Sequence, residues 1–346
     1  MKIAITGAAG FLGLHLAGRF FNKSNELALC DIQPFDKKEY PKSKFIKGDV
    51  RDRRDMDLFT KDQDILIHAA AALPLWKERD IFEVNVNGTK NLLENCLKNK
   101  VSHFIYISST AVYGVPKKHP VYETDPLVGV GAYGESKIQA EKLCEEYRKK
   151  GLLVTVIRPK TFIGTHRLGV FEILFDWIKD GKKIPVIGSG NNRYQLLDVD
   201  DLTEAIFRIA NFKDKKKINT VFNIGAKNFN SVKEDLIKLF EYANSGSKIL
   251  STPAMPIKAA LFILEKLKLS PLYKWIYATA DKDSYVSIKR LTDTLKWVPK
   301  YSNAQSLIKS YKWYINNYKE IKSRPAGTTH TVGWKQGILR IFKKFL

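Results

Sequence analysis

Cysteine is scarce in this chain: of 346 residues only Cys30, Cys96 and Cys144 carry a thiol, far apart and in no Cys-x-x-Cys or Cys/His spacing. That usage gives neither a disulfide framework nor a zinc site, and it fits a reduced cytosol; no metal is expected. No stretch approaches the ~20 apolar residues of a membrane span. Met1 leads straight into Lys2-Ile3-Ala4-Ile5-Thr6, too short an apolar run for a secretory leader. The chain is therefore expected to be soluble or at most peripheral. Negative charge is also in short supply, with 36 Asp+Glu against 58 Lys+Arg and a formal net charge of +22. Lys supplies most of that excess and is spread over many segments, which reads as a generally basic surface favouring anionic partners. No nucleic-acid motif accompanies it, so a nucleic-acid partner is not expected.

What is present is ordinary globular material, 44% hydrophobic and 27% charged, long enough for a full core and more than one lobe. Residues 2–6 form a short apolar run that ends in Thr6-Gly7-Ala8-Ala9-Gly10-Phe11-Leu12-Gly13, after which Leu14, Leu16, Ala17 and Phe20 keep a helical period. The pattern is strand, glycine turn, helix. Gly7 permits the turn, Gly10 lets backbone N–H groups approach a pyrophosphate, and Gly13 lets the helix pack closely on the strand. A second strand ends at Asp31, placed to accept hydrogen bonds from both hydroxyls of an adenosine ribose and to repel a 2′-phosphate. NAD is thus preferred to NADP. Further strands at 44–47, 64–68, 104–107 and 152–157 alternate with helices at 53–59 and 82–98, which predicts a parallel, doubly wound sheet with its ligands at the carboxyl ends of the strands.

Tyr133 and Lys137, four residues apart in Tyr-Gly-Glu-Ser-Lys, share one helix face, so the ammonium can act on the phenol and favour phenolate. The pair gains its meaning from its surroundings. The order TGAAGFLG, DI, GDVRD, HAAA, NVNGT, SSTAVYG, YGESK and RP (Arg158-Pro159) resembles the extended branch of the short-chain dehydrogenase/reductase superfamily, the NAD-dependent epimerase/dehydratase family, over roughly residues 1–320. That resemblance implies a cofactor groove of Gly7, Ala9, Gly10, Phe11, Leu12, Gly13 and Asp31, with Asp49 and Val50 flanking the adenine and Ala69, Ala70 and Ala71 leaving room at the strand ends. It places Asn85 near the cofactor or the local helix, Lys137 on the nicotinamide ribose, and Tyr133 as the proton-transferring group. Of two adjacent hydroxyls, Ser109 falls on the family's third catalytic position in preference to Ser108. Thr110 and Ala111 stand where related dehydratases and decarboxylases carry carboxylates, so neither of those reactions is implied.

The second half is less regular. An apolar helix at 170–178, a strand at 184–187 and a last sheet strand at 220–224 imply a discontinuous NAD-binding domain, 1–164 plus 194–226, and a smaller C-terminal substrate lobe, 165–193 plus 227–320. Family enzymes for nucleotide sugars usually have Asn where this chain has Thr161 and Arg where it has Tyr194, with Arg193 adjacent; with Thr110 these are the candidate substrate residues. Residues 253–277 are strongly apolar, read as a buried helix capping the lobe or as lining for a hydrophobic substrate. Residues 321–346 form a basic tail in which Trp334, Ile338, Ile341, Phe342 and Phe345 follow an amphipathic helical spacing, with docking on an anionic membrane, on the protein itself or on a partner chain as its uses. The function implied is NAD-dependent oxidation of a secondary alcohol through a keto species, as an epimerase or dehydrogenase of a sugar, with a nucleotide-linked sugar preferred. A 3β-hydroxysteroid- or lipid-type dehydrogenase and a non-catalytic NAD-binding regulator are the alternatives. A cytoplasmic homodimer, at most peripheral at the inner face of a membrane, completes the expectation.

Overall fold

The computed structural model describes every residue except 22–24, 37, 39, 268, 270, 271, 273, 324–326, 328, 329, 334–336 and 345. Strand β1 (Lys2–Thr6) runs into α1 (Phe11–Phe20), followed by β2 (Glu26–Asp31), β3 (Lys44–Lys47), α2 (Arg53–Thr60) and β4 (Ile65–His68). Next come α3 (Glu78–Phe82), a π-helical turn (Glu83–Gly88), α4 (Thr89–Lys98), β5 (His103–Ile107), a 3₁₀ turn (Thr110–Tyr113), α5 (Gly131–Lys149) and β6 (Val154–Pro159). The second half contains β7 (Phe162–Ile163), α6 (Val170–Lys179), β8 (Ile184–Ile187), β9 (Leu197–Asp198), α7 (Val199–Ala210), α8 (Lys215–Ile218) and β10 (Val221–Ile224). It closes with α9 (Val232–Ala243), β11 (Ile249–Thr252), α10 (Ala254–Lys266), α11 (Lys274–Thr279), α12 (Lys289–Leu295), α13 (Asn303–Asn316), α14 (Tyr318–Ser323) and α15 (Leu339–Phe342).

Seven strands form one sheet in the order β10-β6-β5-β4-β1-β2-β3, every neighbour parallel. The doubly wound architecture expected from the sequence is present. Strand periodicity explains the two core layers: Ile3 and Ile5 point to one face, where α1 and α7 pack through Leu16, Phe20, Leu202 and Ile206. Ala4 points to the other, covered by α2, α4 and α5 through Met56, Leu92, Cys96 and Cys144. The strand order reverses between β1 and β4, and a doubly wound sheet binds ligands in the crevice that this leaves at the carboxyl ends of the strands. A third cluster, built on Phe175, Leu239, Tyr311 and Tyr314 of α6, α9 and α13, forms the smaller lobe. Two-stranded pairings β8·β11 and β7·β9 stitch it together.

Two local features differ from expectation. The helix read over 82–98 is interrupted by the π turn, in which the Thr89 hydroxyl donates to the Asn85 carbonyl (2.7 Å) and so competes with the regular ladder. The apolar stretch read as a buried cap or a substrate lining is helical at α10, but of the residues of α10 only Leu261 is buried. In the tail, residues 334–336 and 345, including Trp334 and Phe345 of the amphipathic spacing, lie outside the described residues. The described part folds back on the smaller lobe: Leu168 N donates to His330 O (2.8 Å), and Lys343 Nζ is paired with Asp176 and Asp180 at the end of α6. Leu339 and Leu346 pack on the third cluster.

Candidate active site

The glycine turn is shaped by contacts that leave no space for a side chain. Gly7 sits at φ +71°, and a Cβ there would lie 2.7 Å from Ala70 N. At Gly13 a Cβ would lie 2.0 Å from Gly7 O, so α1 rests directly on the turn. The N-terminus of α1 has no side-chain cap and no acidic residue in its first turn, which leaves its N–H groups and positive dipole end for an anion. Phe11 and Leu12, the first residues of that helix, are buried beneath it. Asp31, at the end of β2, accepts from Ala9 N (3.0 Å) and Gln33 N (2.8 Å), which fixes its carboxylate at the edge of the glycine turn. Burial raises its pKa, with those two N–H bonds opposing.

Asp49 is gripped by Arg51, whose Nη2 lies 2.6 Å and Nε 3.0 Å from Oδ2. Burial pushes that carboxyl up, but the Arg51 bonds prevail and hold it below the ordinary carboxylate value. Val50 is buried beside Gly88, where a Cβ would come within 2.6 Å of Val50 Cγ2. Ala69, Ala70 and Ala71 continue β4 as a half-buried rim. Asn85 faces inward from the π turn: Oδ1 accepts from Ala72 N (2.8 Å), and Nδ2 donates to Ala72 O (3.2 Å) and Ser136 Oγ (3.0 Å). Its amide therefore ties the strand end to the helix that carries Tyr133. His68, between the Thr6 and Thr89 hydroxyls, is driven down to about 3 by burial and is neutral.

Tyr133 stands in the first turn of α5, beside the Ser109 side chain that follows β5, and that side chain favours its phenolate. Ser109 is oriented by accepting from Ala111 N (3.1 Å). Ser108 turns the other way, into a buried network in which Arg158 pairs with Glu141 and its Nη1 donates to Tyr113 OH (2.7 Å). Tyr113 in turn donates to Asn223 Oδ1 (2.7 Å), so the loop after β5, helix α5, β6 and β10 are locked together behind the site. A buried bidentate ion pair of this kind costs ~3–5 kcal/mol to break from one side, which makes it a rigid backing for the reacting groups. Lys137, one turn beyond Tyr133, donates to Ile107 O (2.9 Å); its ammonium is 5.9 Å from the Tyr133 ring centre. Burial pulls Lys137 down to about 8, with Glu141 opposing.

Burial pushes the Tyr133 phenol up to about 12, against the pull of the Ser109 side chain and of the positive charge on Arg167. Lowering it into a working range requires a further positive charge beside it, which oxidised nicotinamide carries. Arg167 was not legible as a site residue. It is brought in by the loop after β7, its guanidinium 5.4 Å from the Phe11 ring, and the tail segment at His330–Gly333 runs alongside Leu168 and Gly169.

The candidate substrate residues gather where the two lobes meet. Thr161 Oγ1 is 3.4 Å from Tyr194 OH, so these two close on each other. Arg193 lies over the rings of Phe229 (4.7 Å) and Tyr285 (4.9 Å). Thr110 is buried in the 3₁₀ turn, and neither it nor Ala111 supplies a carboxylate there. Lys160, unremarked in the sequence, is buried; its Nζ donates to Ser284 Oγ (2.7 Å) and sits 4.9 Å from the Tyr194 ring.

Burial pulls Lys160 down to about 7 from 10.5. Because the folded-state value is the lower one, the unfolded chain binds more protons between about pH 7 and 10.5, and this group makes the protein more stable as pH rises through that window. Lys160→Met is expected to raise the melting temperature most below pH 7, with the advantage shrinking toward pH 10. A difference that stays constant across a pH series of thermal melts would contradict the assignment.

A seven-stranded doubly wound sheet with a glycine-turn groove, an acidic residue ending β2, a Ser after β5 and a Tyr-Lys pair on α5 defines a nucleotide-dependent oxidoreductase of the extended Rossmann type. The model of the NAD dependent epimerase/dehydratase family matches residues 3–225, and the chain belongs to that family. NAD is the family's cofactor, and the groove fits it: the turn that a Cβ would fill, the uncapped start of α1 and the placement of Asp31 are what a dinucleotide needs. The uncharacterized protein y4nG of Sinorhizobium fredii is 33% identical over 339 residues, 97% of this chain and 84% of that protein. The N-acetyl-alpha-D-glucosaminyl-diphospho-ditrans,octacis-undecaprenol 4-epimerase of Escherichia coli O157:H7 is 31% identical over 243 residues, 63% of this chain and 69% of that protein. Among solved structures, the UDP-glucose 4-epimerase of Thermotoga maritima with UDP-glucose superposes with a TM-score of 0.76 at 23% identity, covering 92% of this chain and 100% of that one.

Proposed function

We propose that the protein is an NAD-dependent 4-epimerase whose substrate is a sugar carried on a diphosphate. The observation that carries this is the placing of Tyr133 beside Ser109, whose side chain draws the phenol toward its ionised form, with Lys137 one turn on and no carboxylate at Thr110 or Ala111. The first three residues serve reversible oxidation of an alcohol; the missing carboxylates leave the site without an acid and base for eliminating water. Two of the relatives, from E. coli and T. maritima, are named as 4-epimerases, one of a lipid-linked and one of a nucleotide-linked sugar.

Bound NAD supplies the hydride acceptor and, for the return step, the hydride donor. The protein's residues manage the proton and the geometry. Ser109 holds the reacting hydroxyl oxygen, Tyr133 takes its proton and later gives it back, and Lys137 secures the ribose side of the cofactor while adding positive charge. Arg167 acts in the same sense on the phenol. Arg193, already at the rim of the smaller lobe, is the cation best placed for the diphosphate. A second reading, oxidation of an apolar alcohol of steroid or lipid type, is favoured by the Thr161–Tyr194 contact, which replaces the Asn and Arg of the family's nucleotide-sugar enzymes. We infer a homodimer from the same resemblance, and a cytoplasmic location from the three dispersed cysteines.

Incubation with NAD and each of UDP-glucose, UDP-N-acetylglucosamine and undecaprenyl-diphospho-N-acetylglucosamine separates the two readings. Formation of the 4-epimer of one of them, with no net NADH, is the expected result. Stoichiometric NADH from a sterol, with every sugar left unchanged, would reverse the choice.

A further inference from the structure

Among the described residues, α10 is the least covered helix of its length, and its composition is wrong for water. Of its 13 residues one is acidic, Glu265, and only Leu261 is buried. Met255 is 85% exposed, Phe262 47% and Ile263 57%, and Leu267, just past the helix end, is 60% exposed. Residues 255, 259, 262, 263, 266 and 267 recur at helical spacing, so these side chains share one face. Among the described residues no other helix carries three exposed large apolar side chains, and on α10 they follow one another at helical spacing.

On this helix and the adjoining tail the exposed charges are basic. Glu265 is engaged by Tyr277 OH (2.5 Å), and Lys258 is paired with Asp281 beneath the helix. Lys266 remains exposed at the helix end. The tail joins the same surface, since Ile338 N donates to Leu269 O (3.1 Å). From Ile338 to Leu346 it carries Arg340, Lys343 and Lys344 and no acid. Lys343 is drawn inward by Asp176 and Asp180, while Phe342, Arg340 and Lys344 are exposed. An apolar helix face rimmed by cations matches the headgroup boundary of an anionic bilayer, where apolar side chains enter the acyl layer and Lys and Arg meet the phosphates. At 13 residues α10 is too short to span, so it lies in the interface plane.

We propose that the exposed face of α10, with the adjoining basic tail, is a docking surface for an anionic lipid bilayer. The sequence pointed to residues 334–346 for such contact; the fold puts the larger apolar face on α10 and gives the tail the basic flank. The surface is coupled to the substrate side. Lys258 holds Asp281, Asp283 accepts from Arg193 N (2.8 Å), and Ser284 accepts from Lys160, so the segment 281–284 runs from under α10 to the meeting place of the two lobes. A docked protein would hold its substrate lobe against the membrane. The surface stands whether the sugar rides on a nucleotide or on a lipid.

The test is co-sedimentation of the full chain with phosphatidylcholine vesicles, with and without phosphatidylglycerol, beside the double variant Ile263→Glu/Leu267→Glu. Both positions are exposed, and retention of the NAD-induced rise in melting temperature shows that the variant is folded. Wild-type protein is expected to sediment with the phosphatidylglycerol vesicles and weakly with phosphatidylcholine alone, and the variant to lose binding by about tenfold or more. Three results would overturn the proposal: no sedimentation of the wild type; equal binding of the variant, which would assign the attraction to the dispersed lysines; or, by light scattering without vesicles, a dimer that the variant dissociates, which would make a second copy the occupant.

Discussion

Tyr133→Phe is expected to lower turnover by about a hundred- to ten-thousandfold, the range over which a positioned proton-transfer group acts, while leaving NAD binding close to wild type. The ring is kept and only the hydroxyl is removed, so packing at the start of α5 should persist. Lys137 is anchored on Ile107 O and does not depend on the phenol for its position. Ser109 keeps its bond from Ala111 N. The substitution thus isolates the proton step from cofactor retention. Steady-state rates with a titration of NAD by thermal shift measure both quantities, and near-normal turnover would remove Tyr133 from the reaction.

Gly13→Ala should act on the cofactor, and its sign is diagnostic. In an exposed helix interior, Gly→Ala stabilises by about 1 kcal/mol. Here the new Cβ would lie 2.0 Å from Gly7 O and 2.6 Å from Ala8 Cα, both backbone atoms that cannot rotate away. The start of α1 must lift off the turn, at an overpacking cost of roughly 1–3 kcal/mol. The variant is expected to melt lower than the wild type and to lose most of the rise in melting temperature that NAD produces. An unchanged or higher melting temperature with NAD binding intact would mean that the turn has slack the structure does not show.

Much of the sheet was legible because its strands are short apolar runs bounded by turn residues. The runs at Lys44–Lys47 and Val154–Pro159, like the helix at Val170–Lys179, lie within a few residues of where periodicity put them. The glycine turn, Asp31 and the Tyr133–Lys137 spacing were legible for a related reason: each is a local pattern whose partners follow from the parallel βαβ plan. What could not be read is long-range. Asp176 and Asp180 stand one turn apart at the end of α6 and capture Lys343 of the tail, 167 residues away from Asp176, and nothing in the tail's own spacing announces them. Arg167 reaches Tyr133 only because the loop after β7 returns over the first helix. Lys160 reads as one more lysine in a Lys-rich chain until the end of β6 buries it against Ser284. The apolar run at α10 misled in the opposite direction, since composition fixes that a segment is apolar but not what covers it.

The central claim is that this site removes hydride from a sugar carbon and returns the same hydride. The most direct measurement follows deuterium placed on the reacting carbon of the diphosphate sugar that the protein converts, in ordinary water, by mass spectrometry and NMR of the product. Retention of the label in the epimer, with no accumulation of NADH, is the predicted result. Loss of the label to solvent would contradict the account, because it would mean that a proton rather than a hydride leaves the carbon.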